Sequence, residues 1–339
     1  MWVSFLGMRT PPLLPRALAV ASALVLLVAL LLPVGSALAR TTRLKVVTTV
    51  APHADLVRQI AGDRVDLVQM VPDGTDSHTF EPRPSDGAFL QAADLIILNG
   101  LHLETPTQRM ADANKKPETP FLFLGDNTIS PPEYLFDYSF PASRGDPNPH
   151  LWLNVAYARN YAQLIANQLV ALDPDNADFY QANLATLGGR MDQLDQAIFL
   201  AVQSLPEANR KLLTYHDSWA YFSRRYGMTV IGAIQPSDFG EPSPREVAAL
   251  IDQIRANKLP AIFGSEVYPS KVMDVIGRET GANYISSLRD DDLPGDAGTP
   301  RHTYLGMMLE DMHTMFGGLG GRTDMFDGID PAPVAAANI

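Results

Sequence analysis

A chain of 339 residues with 46% hydrophobic content exceeds one ordinary domain and suits two lobes, each with its own core. A formal net charge of −12 and a pI near 4.9 exclude nucleic acid as a natural partner and disfavour docking on anionic lipid. No cysteine is present, so disulfides and thiolate metal sites are excluded, and a metal site must use His, Asp or Glu.

At the N-terminus, Arg9 and Arg16 supply positive charge and the uncharged apolar run Ala17–Val34 follows. Ser36–Ala39 (S-A-L-A) ends in the small-x-small pattern that a signal peptidase reads. Residues 1–39 are therefore expected to be an export signal cleaved after Ala39, in preference to a permanent transmembrane anchor. No second apolar run of spanning length follows. The mature chain is expected in the periplasm, without stable membrane insertion and without a lipidated cysteine.

Leu44–Val50 reads as a buried, β-branched strand. A helix follows to Ala61, with Pro52 in its first turn and Gly62 at its end. Val65–Val71 is a second strand, Asp86–Ala92 a short helix, Leu95–Leu98 a third strand and Phe121–Leu124 a fourth. Residues 131–149 are irregular, rich in Pro, Asp and aromatics. Asn154–Leu172 is amphipathic, and Ala177–Leu205 reads as one long helix of about 44 Å with Gly188-Gly189 as a weak point. The alternation then repeats, with strands at Lys211–Tyr215, Thr229–Ile234, Ala261–Gly264 and Tyr284–Leu288. Helices are expected at His216–Arg225, from the capping box Ser243–Glu246 to Asn257, at Lys271–Thr280 and at His302–Met315. Such alternation predicts an α/β protein: two similar lobes with mainly parallel sheets, joined by one long rigid helix. The expected division is an N-terminal lobe 40–176, a linking helix 177–205, a C-terminal lobe 206–316 and a disordered tail 317–339.

The segment Asp76–Asp86, D-S-H-T-F-E-P-R-P-S-D, places His78 on a loop just past a strand end, with prolines that stop a helix. Alone it reads as a surface turn. The arrangement recurs, however, at His150 in D-P-N-P-H-L-W-L-N and at His216 in L-L-T-Y-H-D-S-W, with Asp290-Asp291-Asp292 beyond. Ligands in open α/β sheets bind at the carboxyl ends of strands. Gaps of 72, 66 and 75 residues exclude a local metal loop and suit a site assembled between lobes. Three His and one Asp form a set that zinc accepts in tetrahedral form. Glu81 and Asp217 are expected to orient the histidines. His53, His102, His302 and His313 are read as structural or exposed, and Trp152 and Trp219 as packing residues.

These residues resemble a family, the metal-binding proteins of bacterial ABC importers for zinc and manganese (cluster A-I solute-binding proteins). The resemblance rests on V-V-T-T-V-A-P at Val46–Pro52, H-T-F-E-P-R-P-S-D at His78–Asp86, A-D-L-I-I-L-N-G at Ala93–Gly100 and N-P-H-L-W-L-N at Asn148–Asn154. It continues in Y-H-D-S-W-A-Y-F at Tyr215–Phe222, E-P-S-P-R-E at Glu241–Glu246 and T-Y-L-G-M-M at Thr303–Met308. The resemblance implies one metal between two lobes, held by His78, His150, His216 and an aspartate that falls on Asp291. Asp290 and Asp292 stay open because three aspartates are consecutive. It also implies transport of Zn²⁺, with Mn²⁺ the alternative, and no catalysis. The partners so implied are a membrane permease and its cytoplasmic ATPase, with the binding protein a monomer. A His-rich loop between the first two histidines, present in many zinc members, is lacking here. A secreted zinc hydrolase is the competing reading, but the chain has no H-E-x-x-H and no nucleophile elbow. A siderophore-type or cobalamin-type binder would need a large organic pocket in place of converging histidines.

Overall fold

Alternating apolar runs and amphipathic segments form two parallel four-stranded sheets in the computed structural model of this chain, which describes residues 1–2, 43–267 and 271–335. The expected export signal and its cleavage after Ala39 lie outside the described residues. In the first half β1 (Leu44–Thr48), β2 (Val65–Gln69), β3 (Leu95–Leu98) and β4 (Phe121–Phe123) stand in the order β2-β1-β3-β4. In the second half β5 (Lys211–Thr214), β6 (Thr229–Ala233), β7 (Ala261–Ser265) and β8 (Asn283–Leu288) repeat it as β6-β5-β7-β8. Every pairing is parallel. β3 (L-I-I-L) and β7 (A-I-F-G-S) are buried at each residue, as strands covered on both faces must be. In each sheet the chain leaves the first strand for one neighbour and later pairs on its other side. That reversal is the switch point where ligands bind, outside the carboxyl ends.

The helices are α1 (Ala51–Ala61), α2 (Gly87–Ala92), α3 (Thr105–Asn114), α4 (Val155–Leu172), α5 (Ala177–Ser204), α6 (Ala220–Tyr226), α7 (Pro244–Asn257), α8 (Lys271–Thr280) and α9 (Tyr304–Gly318). The capping box before α7 is formed: Ser243 N donates to Glu246 Oε2 at 2.7 Å and Glu246 N to Ser243 Oγ at 3.3 Å. α5 is the long connection, 28 residues and therefore about 42 Å. It buries Tyr180, Leu187, Met191, Leu194, Ile198 and Ala201, a stripe at three- and four-residue spacing. The helix runs unbroken through Gly188-Gly189. Gly188 lies in the stripe beside Arg159 of α4, where a Cβ would meet Nε at 3.5 Å. The architecture is thus two similar α/β lobes with parallel sheets joined by one long helix.

Three elements depart from expectation. α3 was not foreseen, because T-P-T-Q-R-M-A-D-A-N has no apolar stripe and buries only Thr107 and Ala111. α6 begins at Ala220 rather than His216, since the backbone before it is held elsewhere: Asn148 Nδ2 donates to Asp217 O at 2.6 Å. Residues 319–335 do not form the expected disordered tail. Phe326 is 2% exposed and its ring lies 5.8 Å from that of Phe316. Arg190 of α5 pairs with Asp330 at 2.5 Å, and Val334 N donates to Gln59 of α1 at 2.6 Å. Buried Leu319 and Phe326, with Met325, Ile329 and Val334 packed against the same core, hold this segment together with those bonds, at spacings that give no helix or strand period.

His53 lies in α1 inside the core, edge-on to Trp152 at 5.0 Å and to Tyr161 at 5.5 Å. Neither ring nitrogen has a hydrogen-bond partner among the described residues. Burial pushes its pKa down to about 3. An unfolded chain takes up a proton on this ring below about 6.5 and the folded chain does not, so acid favours the unfolded state. His53→Leu is expected to escape that linkage. Its stability margin over the parent should grow by about 1.4 kcal/mol per pH unit below 6.5, roughly 2 kcal/mol by pH 5. Urea titrations of both metal-free proteins at pH 7 and pH 5 check this; an equal margin at the two pH values refutes it.

Candidate metal centre

The groups at the cleft hang from strand ends. His216 follows β5 by two residues, Gln235 follows β6 by two, Glu266 directly follows β7, and Asp290 and Asp291 come just after β8. His78 is on the loop after β2. There Asp76 Oδ1 accepts from His78 N and Asp76 Oδ2 from Thr79 Oγ1, both at 2.8 Å, an Asx-type turn that fixes the approach. His150 precedes a single 3₁₀ turn, Leu151–Leu153, and its loop is tied to the end of β3. Asn99 Nδ2 donates to Pro149 O at 3.0 Å, and Tyr161 OH donates to Asn99 Oδ1 at 2.8 Å.

The structure brings the three expected histidines together. His150 Nε2 lies 3.2 Å from His78 Nε2 and 2.9 Å from His216 Nε2, and one ligand atom of each lies within 4.8 Å of the others. Nitrogens bound at ~2.0–2.1 Å to a tetrahedral zinc stand about 3.3 Å apart, so small shifts convert this cluster into a ligand set. His150 Nδ1 donates to Asn148 Oδ1 at 2.8 Å and His216 Nδ1 to Gln235 Oε1 at 2.6 Å. An amide oxygen only accepts, so each proton sits on Nδ1 and each Nε2 lone pair faces inward. Asn148 is itself fixed, since its amide nitrogen also donates to Asp137 Oδ2 at 3.0 Å.

The orienting groups therefore differ from those expected. Glu81 is exposed and joins none of these bonds. Asp217 is buried but accepts from Ser139 N at 2.8 Å rather than from a histidine. Carboxylates were favoured on chemical grounds, and two amides do the work. Gln235 was legible in one respect: it stands two residues past its strand, as His216 does past the neighbouring one.

Of the three aspartates, Asp290 reaches nearest to an imidazole, its Oδ2 lying 3.9 Å from His216 Nε2. Asp291 Oδ2 accepts from Ser77 Oγ at 2.6 Å, which carries it across the cleft to the His78 loop. Asp292 is committed to backbone, accepting from Gly74 N at 3.0 Å and Leu293 N at 2.8 Å. Asp290 Oδ1 and Asp291 Oδ1 are buried and have no hydrogen-bond partner among the described residues. Burial, then the neighbouring Asp291 carboxylate, pushes Asp290 well above the ordinary range, and burial raises Asp291. In the opposite sense, burial and then His216 push His78 down to about 3, and the same two causes hold His150 well below 6.5. Both imidazoles are neutral at neutral pH, the form that binds metal. Neutral nitrogens facing under-solvated carboxyl oxygens form a site in which a dication would replace protons.

Both halves close on this point. Trp152 Nε1 donates to Asp290 O at 2.7 Å while its ring lies 5.1 Å from that of His150, so this packing residue also braces two site groups. Ser139 Oγ donates to Gln235 O at 2.7 Å. Phe239, after β6, has a left-handed backbone (φ 60°) and stacks on His78 at 4.7 Å and 13°. That cover was invisible in the sequence, since nothing in S-D-F-G marks Phe239 for a positive φ. The remaining histidines stand apart. His102 is exposed opposite Asp146 at 3.6 Å, His302 Nδ1 is 3.2 Å from Gly295 O, and His313 is 3.9 Å from Asp327.

Two similar lobes, one long connecting helix and a cleft of converging histidines define the class, a metal-binding solute-binding protein of an ABC transporter. The profile of the family described as the periplasmic component A of the zinc-uptake complex, ZnuA, matches residues 46–317, and the chain belongs to this family. FimA of Streptococcus parasanguinis, a metal ABC transporter substrate-binding lipoprotein, is 32% identical over 310 residues, covering 88% of this chain and 98% of its own. PsaA of Streptococcus pneumoniae, a manganese ABC transporter substrate-binding lipoprotein, is 30% identical over 311 residues, covering 88% and 98%. The structure of the periplasmic zinc-binding protein TroA from Treponema pallidum superposes with a TM-score of 0.74 at 29% identity, covering 82% of this chain and 99% of that one. The relatives are binding components of transporters, not enzymes, which removes the zinc-hydrolase reading.

Proposed function

We propose that this protein captures a divalent transition metal, Zn²⁺ first, outside the cytoplasm. It would deliver that cargo to the membrane permease of an ABC importer driven by a cytoplasmic ATPase. The observation that carries the proposal is the convergence of three histidine Nε2 atoms contributed by both lobes, those of His150 and His216 buried. In this reading His78, His150 and His216 supply nitrogen and Asp291 supplies oxygen, a set that suits zinc. Asp290 is the competitor for the fourth position on distance alone. Manganese is the second reading. Two carboxyl groups, each with a buried oxygen that has no hydrogen-bond partner among the described residues, lie at the site, and manganese prefers more oxygen ligands. We further infer a periplasmic monomer released by cleavage after Ala39. The sequence holds no cysteine for a lipid, unlike relatives named as lipoproteins, and among the described residues no helix is long and apolar enough to cross a membrane.

Elemental analysis of protein purified from cells without added metal tests the cargo. One zinc per chain is the expected result. A chain loaded with manganese overturns the zinc assignment and keeps the transport reading. A protein that neither carries nor takes up any divalent metal removes both.

A further inference from the structure

We propose that Glu266 is a positioning residue for the metal site: it fixes the Asp290–Asp292 turn so that a carboxylate faces the three imidazoles. This rests on the metal-binding reading above. β7 and β8 are neighbours, with Ser265 level with Leu288. The residue after β7 therefore stands beside the turn that follows β8. Glu266 Oε1 accepts from three consecutive amides, Asp290 N at 3.1 Å, Asp291 N at 3.3 Å and Asp292 N at 3.2 Å. Ser265 Oγ donates to the other carboxylate oxygen, Oε2, at 3.2 Å, which leaves Oε1 to the turn.

Three successive N–H groups point at one atom only if the backbone curls around it, the geometry of an anion-binding nest. Here the anion is supplied by the chain itself. The curl fixes the backbone torsions of the three aspartates and hence the direction of each side chain. Asp290 is sent toward His216, Asp291 toward Ser77, and Asp292 away to Gly74 N. These three bonds hold together a turn whose three adjacent carboxylates repel one another, a repulsion that would otherwise open it toward water. Asp311 takes only the preceding amide, Arg289 N, at 2.8 Å. Glu266 is not one of the converging ligand groups. Its influence on a metal passes through the turn.

The test is a set of zinc titrations against a chelating dye on the mature chain. Glu266→Ala is expected to weaken binding ~10–100-fold, the usual cost of losing an orienting partner. Glu266→Gln keeps one acceptor oxygen but puts an NH2 group where the other accepts from Ser265 Oγ, so a smaller loss of at least ~3-fold is expected. In an Asp290→Ala/Asp291→Ala background either substitution should cost nothing further, because no carboxylate is left to position. A loss of the same size in both backgrounds means a merely structural role and overturns the proposal, as does an unchanged affinity in Glu266→Gln, the variant that decides if Glu266→Ala does not fold. His216→Ala is measured alongside. If that variant binds zinc like the parent, the metal-site reading has failed rather than the role of Glu266.

Discussion

His150→Ala is expected to weaken zinc binding by roughly 10²–10³-fold. Four-ligand structural zinc sites carry an apparent ~10–16 kcal/mol, so an even share is about 2.5–4 kcal/mol per ligand, or two to three decades of affinity. His150 is the central member, since its Nε2 touches both of the others, and it is fully buried. Its ring is braced by Asn148 and Trp152, which hold it at the centre of the cluster. His78→Ala and His216→Ala should behave alike. His102→Ala should bind as the parent does, because that ring is exposed and outside the cluster. Competition titrations against a chelating indicator measure all four. If two of the three cluster substitutions leave the titration unchanged, the metal binds elsewhere. Alanine at Asp290 and at Asp291 separately assigns the oxygen ligand: the larger loss marks the residue that holds the metal.

What was legible in the sequence is what local pattern encodes. Apolar runs gave all eight strands to within two residues at either end, and His78, His150 and His216 stood out because one residue type recurs beside strand ends. Parallel α/β geometry sends strand carboxyl ends toward the ligand, which converts that recurrence into a site. The fourth ligand was not legible in the same way. Three identical residues give no register, and the choice between Asp290 and Asp291 depends on which way Glu266 and Ser77 turn the chain. Asn148 and Gln235 were missed as orienting groups for a different reason. Gln235 meets His216 only because β6 lies beside β5, a tertiary fact. The weakly amphipathic α3 and the ordered segment after α9 escaped because backbone hydrogen bonds and single contacts hold them, without a hydrophobic period.

Saturating zinc is expected to raise the melting temperature by roughly 8–16 °C, and a chelator should reverse the shift. A ligand at 1,000 times its dissociation constant adds about 4 kcal/mol of apparent stability if it binds only the folded chain. For a chain somewhat above 250 residues, 1 kcal/mol moves the midpoint by about 2–4 °C. Binding only the folded state follows from the layout, because His78 and His150 come from one half and His216 and the aspartate turn from the other. The unfolded chain spreads these groups over more than 200 residues and offers no equivalent site. The metal-free fold also bears a cost that the metal would relieve. Burial, then the Asp290 carboxylate, raises Glu266 to about 8, and burial raises Asp290 and Asp291, so negative charge at this end of the cleft is poorly compensated. Manganese should give a smaller shift, since it meets three nitrogens where it prefers oxygens. His216→Glu should narrow the difference between the two metals by exchanging nitrogen for oxygen. Differential scanning fluorimetry at equal free metal decides the order. A larger shift with manganese than with zinc overturns the zinc assignment and leaves the transport reading standing, whereas no shift with any divalent metal removes both.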